Sequence, residues 1–106
     1  MITEARIFSL ISIAQKARAV AAGNFLVERS IRSGEAKLVI ISEDASGNTR
    51  DDLSHITYHY EIPTVTFGTK DTLGHTIGKE SRVCIAITDA GLAKKIAEGI
   101  QQLQKQ

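Results

Sequence analysis

The chain has 106 residues, 42% of them hydrophobic, with no tryptophan, one proline and one cysteine; this is the make-up of a domain with a packed core and excludes a disordered tail. Thirteen basic against twelve acidic residues leave a formal net charge of +1, so the overall field is too weak for indiscriminate binding to polyanions, and any anionic partner must be met by a local patch. A lone cysteine excludes an internal disulfide, and the segment from Met1 to Arg6 carries an acid before any apolar run, unlike a signal peptide or membrane span, so a cytoplasmic protein is expected.

From Thr3, a good N-cap residue, Ile7, Leu10, Ile11 and Ala14 recur at helical spacing, and Phe8 and Ile13 widen the stripe as far as about Lys16. Arg18 to Ala22 reads as a short edge strand or an extended connector. The stretch from Gly23 to Gly34 follows as a short helix bracketed by glycines, handing directly into Lys37 to Ser42, whose β-branched run suits a strand buried on both faces. The loop Ala21-Ala22-Gly23-Asn24 has no bulky side chain, so a ligand can approach the backbone, and free N–H groups at a helix start attract phosphate. Arg29 and Arg32, with Glu28 as the i,i+4 partner of Arg32, form a charged face opposite Leu26, Val27 and Ile31. The bland alternative makes Gly34 an ordinary C-cap, Gly23 an ordinary turn and the arginines a solvated surface.

Glu43 to Asn48 forms a small, polar loop at the strand's carboxyl end, where ligands collect in open α/β sheets. Ser46 or Asn48 caps a third helix with Leu53, Ile56 and Tyr60 facing inward and an end near Ile62 forced by Pro63. Thr64 to Phe67 reads as a strand. Thr69 and Asp71 open a shorter helix with Leu73 and Ile77 toward the core, and Gly78 closes it before the loop Lys79-Glu80-Ser81-Arg82. Val83 to Ile87 is the next strand, with Cys84 a buried small hydrophobe. Thr88-Asp89 caps a last helix carrying Leu92, Ala93, Ile96, Ile100 and Leu103 in register and fraying from Gln101 to Gln106. Helices alternating with strands that are apolar on both faces call for an α/β protein. The expected form is a three-layer α/β/α sandwich with roughly four mostly buried strands and about five helices, a single domain over 1–106.

Enzymatic chemistry finds little support. His55 and His59 stand four apart on a predicted helix, but a metal site needs further ligands and none has a useful spacing. Glu43-Asp44 does not make a phospho-acceptor pocket, which needs acids after two different strands and a lysine after a later one, because no strand before Lys37 ends in an acid; it reads as a solvated loop, or as Asp44 bonded to nearby backbone N–H groups. Phosphate loops, nucleophile elbows and dinucleotide fingerprints are absent, and the serines have no histidine base. No catalytic residue, metal or cofactor is expected. What remains is three polar loops, Gly23-Asn24-Phe25, Glu43-Asp44-Ala45-Ser46 and Lys79-Glu80-Ser81-Arg82, each mixing backbone donors with side chains suited to the base edges and phosphates of bent or unpaired RNA. Arg29, Lys79 and Arg82 would meet phosphates and Asn24 a base edge, while Phe25 would stack on an extruded base or pack inward.

These residues resemble the kink-turn-binding ribosomal-protein family, most closely its small bacterial YlxQ-type branch. The resemblance runs through Leu10-Ile11-Ser12-Ile13-Ala14-Gln15-Lys16-Ala17, Gly23 to Ala36, Leu38 to Thr49, Leu73-Gly74 to Arg82, Ala86-Ile87-Thr88-Asp89 and Ala93-Lys94-Lys95. It implies a three-layer sandwich that recognises RNA kink-turns or related bulged stems through the start of the second helix and two neighbouring loops, in a non-enzymatic ribosomal or ribonucleoprotein role. By this resemblance Gly23 is the glycine that lets RNA approach, Arg29 the basic residue one turn on, Asp44 the acid after the second main strand and Lys70 the lysine opening the fourth helix. Lys79 to Arg82 falls in the variable loop that contacts the bulged strand, charged here where the family has apolar residues. Phe25 and Leu26 occupy the places of an Asn-Glu pair that reads sheared G·A pairs in archaeal and eukaryotic members, which removes both side-chain base readers. Arg18 stands where a helix-ending glycine is common. The expected RNA-binding set is Gly23, Asn24, Phe25, Arg29, Arg32, Asp44, Ser46, Lys70, Lys79, Glu80, Ser81 and Arg82, in a monomer whose partner is structured RNA, ribosomal RNA included. The alternative is a protein-interaction module of the same fold, associated with the translation machinery, in which Phe25 anchors a partner.

Overall fold

Helices and strands alternate along residues 2–105, the part of the chain that the computed structural model describes; Met1 and Gln106 lie outside the described residues. The order is α1 (Glu4–Lys16), β1 (Val20–Ala22), α2 (Asn24–Arg32), β2 (Leu38–Ile41), α3 (Gly47–His59), β3 (Thr64–Thr66), α4 (Lys70–Thr76), β4 (Cys84–Ile87) and α5 (Ala90–Lys105). The strands form one sheet in the order β1-β4-β2-β3, with β4 antiparallel to both neighbours and β2 parallel to β3.

Alternation along the strands divides the core. Leu38, Ile40, Ile85 and Ile87 point to a layer made with Ile7, Ile11, Leu73, Ile96 and Ile100 from α1, α4 and α5. Val39, Ile41, Cys84 and Ala86 point the other way, onto Val27 and Ile31 of α2 and Leu53 and Ile56 of α3. Successive side chains of a strand face opposite sides, so a strand buried throughout needs helices on both. The three-layer sandwich follows, each large core side chain contributing roughly 1.5–3 kcal/mol by leaving water. Phe8 and Phe67 close the end of the first layer, ring centroids 4.9 Å apart.

Four helices end in the same hydrogen-bond pattern. After α1, α2, α3 and α4 the residues Arg18, Gly34, Glu61 and Gly78 adopt left-handed backbone with φ of 59, 82, 57 and 73°. The following amide reaches back into the last turn each time: Ala19 to Ala14, Glu35 to Ser30, Ile62 to Thr57 and Lys79 to Gly74. This is the Schellman closure. It corrects the expected end of α3, because Glu61, not Pro63, breaks the helix and stops it at His59. Leu26, Ile13 and Tyr60, expected on inward stripes, are instead 45%, 48% and 38% exposed. The last helix does not fray at Gln101 but continues to Lys105, tied down by Gln104, whose side-chain amide donates to the Thr66 carbonyl at 2.9 Å.

Candidate functional site

The sheet topology brings four connections to one rim. Because β4 runs against its neighbours, the residues leading into it lie beside the ends of β1, β2 and β3. Three of these segments were singled out by sequence; the fourth, Gly68 to Lys70, entered only through Lys70. Backbone hydrogen bonds lace them together: Gly23 N–H to the Cys84 carbonyl at 3.0 Å, Ser42 N–H to Val83 at 2.9 Å, Glu43 N–H to Gly68 at 2.7 Å and Arg82 N–H to Lys70 at 3.0 Å.

The start of α2 is exposed from Asn24 to Leu26. Its N-cap is Gly23, at φ 88° and ψ 162°, with no side-chain cap. That region of backbone space is in practice reserved for glycine. The amides of Asn24, Phe25 and Leu26 fill the first turn, where an α-helix supplies no acceptor, and they carry the positive end of the helix dipole. Phe25 stands 74% exposed beside them, so the inward-packing option for its ring is ruled out. Arg29 is exposed one turn on and shares the outward stripe of α2 with Phe25. Arg82 lies across the turn: its Cδ would sit 3.7 Å from a β-carbon placed on Gly23, and its guanidinium donates to the carbonyls of Glu80 and Ser81 at 3.2 and 3.0 Å. Asn24 is exposed, but its side-chain oxygen accepts from the Cys84 thiol at 3.3 Å.

The middle of the rim is occupied by a brace. Asp44 accepts the Lys70 N–H at 3.0 Å, joining the loop after β2 to the first turn of α4. Desolvation opposes ionisation there, but the Lys70 N–H and weaker local donors outweigh it and hold the carboxyl below its ordinary 3.8. Ser46 is the N-cap of α3, accepting the Thr49 N–H at 3.2 Å. Arg50 donates to the carbonyls of Ser42 and Glu43 and to the Thr66 hydroxyl, fixing the same loop from behind.

Lys79, Glu80 and Ser81 lean to the far flank, where with Phe8, Asp71 and His75 they line an open groove of about 680 Å³. Glu43 lines a separate hollow with Phe67 and Gln104. Glu43, Asp71 and Glu80 therefore border the α1 side of the rim. Arg32 does not join it: two turns down α2, it shares a hollow with Glu28, Asp52, His55 and His59. His55 and His59 are exposed on α3, and among the described residues no group of three or more metal-binding side chains gathers.

Two contributors escaped sequence reasoning. Gly74 lies within α4, where a β-carbon would overlap the Glu80 carbonyl; the loop after α4 is seated directly on helix backbone. A glycine in a helix interior was the available signal. Cys84 is buried as expected, but its contact with Asn24 spans 60 residues and leaves no local trace.

Among the described residues no helix is long and apolar enough to cross a membrane. Residues 5–97 match the family described as Ribosomal protein L7Ae/L30e/S12e/Gadd45 family. The chain is 42% identical over 89 residues to the RNA-binding protein YlxQ of Bacillus subtilis, covering 84% of this chain and 89% of that protein. It is 33% identical over 93 residues to the RNA-binding protein YlxQ of Enterococcus faecium, covering 88% and 89%. A Bacillus halodurans protein of unknown function superposes with TM-score 0.88 at 37% identity, covering 92% of this chain and 99% of the other. The Giardia lamblia 15.5kD RNA binding protein, at 22% identity, shares the fold with TM-score 0.76, covering 92% and 84%. From the matched family model and these relatives, the chain belongs to the L7Ae/L30e/S12e/Gadd45 ribosomal protein family.

Proposed function

We propose that this protein is a non-enzymatic, cytoplasmic RNA-binding module that recognises kink-turn or related bulged RNA, ribosomal RNA included, through the rim around the start of α2. The observation that carries the reading is the uncapped N-terminus of α2, with the side chains of Asn24, Phe25, Arg29 and Arg82 around it. Three helix N–H groups and the arginines supply donors for phosphate oxygens. Phe25 supplies a flat apolar face for an unstacked base, which a bent RNA exposes and a straight duplex does not. The named relatives are RNA-binding proteins, and this supports the same class of partner here.

The rim has few cations, so the affinity rests on shape as much as charge. Titrating a kink-turn RNA and a matched unbent duplex tests it, the kink-turn being bound more tightly. Arg29→Ala weakens kink-turn binding by about 1–3 kcal/mol and flattens its salt dependence. Equal binding by parent and variant across salt removes Arg29 from the interface. A second reading, a protein-docking module of the same fold, is favoured by the exposed apolar pair Phe25 and Leu26; it predicts no preference between the two RNAs.

A further inference from the structure

We propose that Cys84 is a positioning residue for Asn24, its buried thiol holding the amide oxygen inward so that Asn24 presents only N–H donors at the start of α2. The inference rests on the RNA-binding reading of this rim and specifies what the rim offers a ligand.

Cys84 grips the turn into α2 twice. Its carbonyl accepts the Gly23 N–H at 3.0 Å, and its thiol donates to the Asn24 side-chain oxygen at 3.3 Å. The first contact fixes the backbone at a glycine whose conformation no other residue adopts comfortably, and the second fixes the next side chain. The thiol, a weak donor, keeps its proton across the neutral range because burial, with the Glu28 carboxylate adding to it, pushes its pKa up to about 12. Sulfur accepts poorly, which favours the amide orientation with oxygen toward the thiol.

The consequence is chemical. A free asparagine amide offers a donor and an acceptor together, the pattern that matches the donor and acceptor on an adenine edge. With the oxygen turned inward onto the buried thiol, the NH2 is the part of the Asn24 amide that faces a ligand, and it donates, as do the adjoining backbone amides of Phe25 and Leu26. The start of α2 thus becomes a surface of donors only, suited to groups that accept.

The test uses the full chain and a kink-turn RNA as probe. Cys84→Ala lowers affinity about fivefold, the worth of one modest hydrogen bond, and Cys84→Ser, which keeps a donor, restores most of it. In an Asn24→Ala background the Cys84→Ala change has no further effect, because Cys84 acts through Asn24. An equal loss in both backgrounds, or no loss in either, overturns the proposal. Nuclear magnetic resonance of the free protein gives a reading independent of RNA: the Asn24 side-chain NH2 is ordered in the parent and mobile in Cys84→Ala, and an unchanged order parameter also overturns it. If the parent does not distinguish kink-turn from duplex, the functional reading fails, and the amide measurement alone decides the positioning role.

Discussion

Replacing Gly74 by alanine separates two opposite expectations. In an exposed helix the change gains up to about 1 kcal/mol, because alanine is the better helix former. Here the new β-carbon would overlap the Glu80 carbonyl oxygen and lie 2.6 Å from the Glu80 carbon and 3.1 Å from the Ser81 Cα. Comfortable carbon contacts are about 3.5 Å, so the loop after α4 must retreat by about 1 Å, and its backbone cannot rotate away as a side chain tip could. Overpacking of this kind costs about 1–3 kcal/mol, giving a net loss where helix propensity alone forecasts a gain. The loop also carries Arg82, whose amide is bonded to Lys70 and whose side chain lies by Gly23; kink-turn affinity therefore falls as well. Urea denaturation reads the first effect and RNA titration the second. Gly47→Ala, at a helix start with nothing within 4 Å, is the control and leaves stability unchanged or slightly raised. A Gly74→Ala protein as stable as its parent would refute the reasoning.

Two further outcomes follow from other parts of the molecule. Arg18 holds left-handed backbone at φ 59°, so Arg18→Gly relieves about 1–2 kcal/mol of strain against about 0.5–1 kcal/mol of extra unfolded-state freedom; the melting temperature rises by a few degrees, and a fall would contradict the assignment. Asp44 has a carboxyl held below its ordinary 3.8, so near that pH the unfolded chain binds more protons than the native one. Its contribution is complete above 3.8 and is lost as pH falls through the lower native value. Asp44→Asn, whose side-chain oxygen can still accept from Lys70, therefore shows a shallower loss of stability below about pH 4 than the parent, and identical acid limbs would remove the brace.

The fold was legible because its signals are local and repeated. Val39 to Ile41 and Thr64 to Thr66 are unbroken β-branched runs, the long helices carry apolar stripes, and Thr3, Ser46, Thr69 and Asp89 sit where caps belong. Errors fell where a local rule met a special conformation: Glu61 ends α3 in a backbone state that its residue type does not advertise. Leu26 looked inward by composition, but in a nine-residue helix whose buried side is set by Val27, Ser30 and Ile31, it falls on the border. The rim's segments were legible as loops, and their convergence follows from strand order, which pattern alone does not state. Contacts between distant residues, Cys84 with Asn24 and Gly74 with Glu80, needed coordinates.

The central claim is that RNA sits on the rim where β1, β2 and β3 end and β4 begins. Backbone amide shifts followed during titration with a kink-turn RNA test it most directly. The account predicts that the largest changes fall on Gly23 to Arg29, Lys70 and Arg82, with α5 and the exposed face of α3 unmoved. Changes centred on α5, or on the hollow between Arg32 and His59, would contradict it.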